Sequence, residues 1–111
     1  MKALVEPYQL IICGVPGVLT EVRLREVTWQ HIRTDHSDVP YRAIVETIED
    51  PCIICQSKTR SDSVVFVNTF SVNRHGHPLR VPVAVEGNGI GRVSSAYFSA
   101  SSTHGAVIWE R

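Results

Sequence analysis

Two histidines five residues apart in H-I-R-T-D-H, His31 and His36, are of the side-chain type most often used as general acid or base. Arg80 adds a fixed cation, Ser95 a hydroxyl, and Tyr97 an aromatic ring with a polar tip. Cutting RNA without a metal needs a base for the 2′-hydroxyl proton, an acid for the departing 5′ oxygen, and a cation to offset charge gathering on the phosphorane. His, His and Arg meet those needs. Each residue also has an ordinary structural use. His36 shares a helical face with Trp29 and Ile32 and fits a core-edge histidine, His31 fits a solvated surface, and Ser95 and Tyr97 are common on strands.

Other groupings carry less. The segment NRHGHPLR at 73–80 gathers Arg74, His75, His77 and Arg80 at a hairpin tip able to grip a phosphate backbone. Cys52 and Cys55 form C-x-x-C, and with His75 and His77 would make four zinc ligands. Positions i and i+3 of a strand point to opposite faces, so no metal is expected, and no cofactor. A thioredoxin-like pair would open a helix after a strand, which these cysteines do not. GNGIGR is followed by strand chemistry rather than a helix, so it is a hairpin turn and not a phosphate loop. There is no G-x-S-x-G elbow and no pair of catalytic carboxylates, which leaves esterase and glycosidase chemistry without an anchor.

Eleven basic and eleven acidic residues cancel to a net charge of zero over 111 residues, so any contact with nucleic acid must be local. Hydrophobic residues at 43% exclude a disordered tract. Three cysteines, Cys13, Cys52 and Cys55, do not suit a disulfide framework. The apolar run Leu10 to Leu19 is short and broken by Gly14, Pro16 and Gly17, so no membrane span and a cytoplasmic location are expected.

The elements that must position these side chains follow from periodicity. Residues 8–13 and 18–24 flank GVPG and predict a hairpin. A short amphipathic helix begins at Glu26, and a second covers 39–49, with Asp38 as cap, Pro40 in the first turn, and Tyr41, Ile44, Val45 and Ile48 buried. Strand patterns follow at 52–58, 63–70, 79–86 and 92–99. In the third, Leu79, Val81 and Val83 alternate with Arg80, Pro82 and Ala84, which turns Arg80 outward and makes Pro82 an edge, a bulge or a position whose amide faces away. The expected architecture is α+β: two short helices packed on a four-stranded antiparallel sheet, with an extra N-terminal β-hairpin. Residues 1–25 form that hairpin extension, 26–99 the core and 100–111 a tail in which Val107 to Trp109 suit a last short strand.

Read in order, W-x-H-I-x-x-x-H at 29–36, Y-R-x-I-V-E-T-I-E-D-P at 41–51, an I-x-x-S strand, V-V-F, L-R-V-x-V and V-S-S-A-Y-F resemble a known family over about residues 26–99. It is the phage-associated branch of the barnase/EndoU/colicin/RelE-like ribonuclease toxins. The resemblance implies a bacterial or phage toxin-type endoribonuclease that leaves a 2′,3′-cyclic phosphate, acts in the cytoplasm or is delivered as a toxin, and meets an antitoxin or immunity protein. It places catalysis on His31, His36, Arg80, Ser95 and Tyr97. Lys58, Arg60, Arg74, His75 and Arg92 are the basic residues available to hold RNA. The chain departs from the pattern at His36-Ser37-Asp38, where relatives have H-P-E, and at Ser95, which replaces Thr. The alternative is a catalytically inactive module of the same fold that binds protein or RNA.

Overall fold

The computed structural model describes residues 8–100 and 105–111. Its elements run β1 (Tyr8–Ile12), β2 (Glu21–Arg25), α1 (Glu26–Asp35), α2 (Tyr41–Glu49), β3 (Ile53–Gln56), β4 (Ser63–Val72), β5 (Pro78–Gly87), β6 (Ile90–Val93), β7 (Tyr97–Phe98) and β8 (Val107–Glu110). All eight strands join one sheet in the order β1-β2-β6-β5-β4-β3-β8, with β7 pairing β5 beside that path. The sheet is mixed, and the expected four-stranded antiparallel sheet with a separate hairpin is therefore corrected.

The N-terminal hairpin is part of the sheet. β2 runs parallel to β6, with Val22 opposite Gly91 and Arg23 opposite Arg92. Ile11, Val22 and Leu24 enter the same core as Ile32, Ile44 and Ile48 of the helices. At the other edge, β8 pairs antiparallel with β3, Trp109 facing Ile54, so the tail closes the sheet. Alternation reports which face of a strand is buried but not which strand lies beside it, and the hairpin and tail were displaced for that reason.

Burial dictates the helices. α2 buries Ala43, Ile44, Thr47 and Ile48, with Tyr41 and Val45 only partly covered. Its N-cap is Pro40, in extended conformation at φ −71° and ψ 141°, with no side-chain cap bond, so Asp38 does not cap and the helix begins at Tyr41 rather than 39. α1 fully buries only Ile32, and its Trp29 meets Tyr41 edge to face at 4.9 Å between ring centroids. Gly14 lets the hairpin turn close on the end of α2. Its amide donates to the Ile48 carbonyl at 3.1 Å, and a Cβ there would lie 1.8 Å from the Glu49 carbonyl oxygen.

β5 is central and carries Pro82 opposite Val65 of β4. On its other side the neighbouring strand is broken: β6 pairs at Val83↔Val93, and β7 resumes at Arg80↔Tyr97. Proline has no N–H to extend that ladder, so the predicted single strand 92–99 divides into two. The Asn88-Gly89 turn forms as its composition predicts, with φ of 56° and 75°. Among the described residues, no helix is long and apolar enough to cross a membrane.

Candidate functional site

The break opposite Pro82 and the C-terminal end of α1 face each other across a shallow groove of about 280 Å³, lined by His31, Ile32, Asp35, His36, Ser94 and Ser95. His36 stands at the C-cap of α1, where its amide donates to the Ile32 carbonyl at 2.7 Å and its half-buried ring turns toward β7. The ring centroids of His36 and Tyr97 are 5.8 Å apart at an interplanar angle of 39°. His31 sits one turn earlier, its Nδ1 3.7 Å from the Asp35 carboxylate, with both side chains largely exposed. So exposed a pair adds little stability but favours one ring orientation. Histidine, histidine, serine and tyrosine from α1 and the β6–β7 segment thus meet at one place.

Arg80 does not line this groove. Alternation places it on the sheet face away from Leu79, Val81 and Val83, as expected, but it is 8% exposed rather than turned to solvent. Its Nε donates to the Ser99 carbonyl at 3.4 Å, and its charge acts on the Cys55 thiol. Tyr97 is its cross-strand partner, and the Tyr97 ring in turn meets His36.

The basic residues proposed from sequence do not form one patch. Lys58 and Arg60 lie in the β3–β4 turn, Arg60 bonded to Asp62 at 3.3 Å, while Arg74 and His75 lie in the β4–β5 turn. Ten-residue β4 separates the two turns by about 30 Å. Arg74 and His75 border a larger hollow of about 540 Å³ with Asp38, Asn73 and Phe98, and Phe98 follows directly on Tyr97. Arg92 belongs to a third place, on β6.

No family model, curated protein or solved structure matches the chain. The ribonuclease resemblance therefore rests on the sequence motifs alone.

The C-x-x-C thiols lie apart, Cys52 just before β3 rather than on it and Cys55 within it. Cys52 accepts a hydrogen bond from the Thr69 hydroxyl at 3.3 Å and donates to Asn68 Oδ1, and Asn68 in turn donates to Thr47 of α2. Cys55 lies on the other face, beside Arg80. Among the described residues no group of His, Cys, Asp and Glu is arranged to hold a metal.

Two groove residues were missed in the sequence. Asp35 lies four residues after His31 inside H-I-R-T-D-H, a spacing that puts both on one helix face, so its signal was there to be read. Ser94 gave none, because a regular strand would have turned it away from Ser95.

Proposed function

We propose that this chain is a metal-independent endoribonuclease of the bacterial or phage toxin type, which forms a 2′,3′-cyclic phosphate by attack of the 2′-hydroxyl. The observation that carries the reading is the meeting of His31, His36 and Ser95 in one groove with Tyr97 against His36. An acid–base pair must straddle one phosphate, and two imidazoles lining the same groove suit that task. Asp35 provides the compensating carboxylate for a protonated His31, which suits His31 to donate to the leaving 5′ oxygen. His36, held by Tyr97, then takes the 2′-hydroxyl proton. Ser95 offers its hydroxyl to a phosphoryl oxygen, while the Ser94 hydroxyl is held by the Pro82 carbonyl and fixes the segment. Arg80 is a positioning residue that holds β7 and Tyr97. On this reading the protein acts on cytoplasmic RNA of a bacterial or phage-infected cell, restrained by an antitoxin or immunity protein.

A second reading, a non-catalytic binding module, has one observation in its favour: among the described residues, no arginine or lysine lines the groove. Incubation of the purified protein with mixed RNA in EDTA separates the two. Cyclic phosphate ends that disappear in His36→Ala support the nuclease, and intact RNA at high protein concentration supports the binder.

A further inference from the structure

On the sheet face opposite the helices, Tyr8, Arg23, Arg25 and Arg92 surround a hollow of about 290 Å³, with Glu86 at its rim. Strand pairing fixes them there: Tyr8 is opposite Arg25, and Arg23 is opposite Arg92. Val22 and Leu24 point into the core, so the arginines between and after them must point away from it. The Arg23 guanidinium also lies over the Tyr8 ring, 5.1 Å from its centroid.

The ion pairs of Arg23 and Arg92 in this hollow are loose. Glu21 and Glu86 approach Arg23 and Arg92 only to 3.6 Å each, beyond hydrogen-bond length. Arg23 Nε is buried and has no hydrogen-bond acceptor among the described residues. A buried donor left unpaired is costly, and guanidinium groups fixed on neighbouring strands match the oxygens of a phosphate. Arg92 precedes Ser94 of the groove by two residues, about 7 Å of extended chain, while Arg25 precedes α1 at the end away from the groove.

We propose that Arg23, Arg25 and Arg92 bind a backbone phosphate of the RNA strand next to the one being cut, with Tyr8 as a stacking surface for its base. This rests on the ribonuclease reading and gives the RNA strand a cationic contact beside the groove. A strand passing from the groove along β6 reaches the hollow without crossing the core. Glu86 competes with the phosphate for Arg92 and sets the affinity.

Fluorescence anisotropy with a 2′-O-methyl oligonucleotide, which has no attacking hydroxyl, tests this across a range of salt. Arg92→Gln and Arg23→Gln should each weaken binding about tenfold and flatten the slope of log K against log salt by about 0.7. Glu86→Gln should tighten binding several-fold, a gain that no folding defect can imitate. Wild-type affinity and slope in both arginine variants, or weaker binding in Glu86→Gln, would overturn the site. So would inorganic phosphate that raises the melting temperature while the oligonucleotide fails to bind. Cleavage to cyclic phosphate with unchanged binding in the variants defeats this site alone. The predicted binding changes without any cleavage defeat the ribonuclease reading and leave a nucleic-acid-binding hollow.

Discussion

Ser94 donates both its amide and its hydroxyl to the carbonyl oxygen of Pro82, at 2.9 and 3.1 Å. These two bonds tie the strand break to the one residue of β5 that cannot continue the ladder, and so aim Ser94 and Ser95 at the end of α1. Pro82→Val restores an N–H directed at the break. Its stability should change by no more than about 1 kcal/mol, whereas cleavage should fall by up to about 100-fold as Ser95 moves off the phosphate. Equal losses in both measurements would contradict this.

His36→Ala and His31→Ala should each lower RNA cleavage about 100-fold or more with unchanged circular dichroism, the scale expected for loss of an acid or base. Tyr97→Phe keeps the ring against His36 and deletes only the hydroxyl. Most of the rate should survive in it if Tyr97 orients the imidazole, and single-turnover kinetics would tell the two roles apart.

Arg80→Ala should lose activity and stability together. The side chain is buried beside Cys55 and bonded to Ser99, so its removal should cost about 1 to 3 kcal/mol in urea unfolding, unlike either histidine variant.

Much of this was legible in the residues. The face of β5 followed from Leu79, Val81 and Val83, and α2 from Ile44 and Ile48, because local periodicity is a local property of the chain. Solvent at Arg80 was wrong because alternation names a face and cannot report that Ser99 folds over it. The pairing of Arg23 with Arg92 was out of reach for the same reason: it joins segments that share no local pattern, and with it went the arginine hollow. At the groove, His31, His36 and Ser95 were legible by chemistry, while Ser94 depended on a break that only the neighbouring proline explains.

Ile44 and Ile48 are fully buried between α2 and the sheet. Replacing either by Ala should cost about 2 to 5 kcal/mol, through lost transfer energy and the cavity left behind. Gly14→Ala should also destabilise, by about 1 to 3 kcal/mol as for overpacking, because its Cβ meets backbone and not a movable side chain. Denaturant midpoints check all three.

The thiols give a pH signature. Burial pushes Cys13 up, only partly opposed by the Val15 and Leu19 backbone. A raised native value means the unfolded thiol ionises first, so the Cys13 contribution is complete below about pH 8.5 and is lost as pH rises through the native value. Cys52 shifts the other way: burial raises it, but hydrogen bonds from Thr69, Arg111 and Phe70 outweigh that and lower it. Stability of Cys13→Ala should therefore decline less than wild type above pH 8.5, and that of Cys52→Ala more. Cys52 should also react first with a thiol reagent at pH 8, as mass spectrometry of the native protein can show.

The parallel pairing of β2 with β6 brings together parts of the chain made early and late. Thr20 bonds the Gly89 carbonyl across 69 positions of sequence. Ordering so long a loop comes before any reward from the contact, which puts refolding in the millisecond-to-second range and not with fast helical proteins. During synthesis the first hairpin has no sheet neighbour until Val93 has left the ribosome, and the serines of the groove come later still. A nascent chain therefore has no assembled groove until Ser94 and Ser95 emerge, long after both histidines.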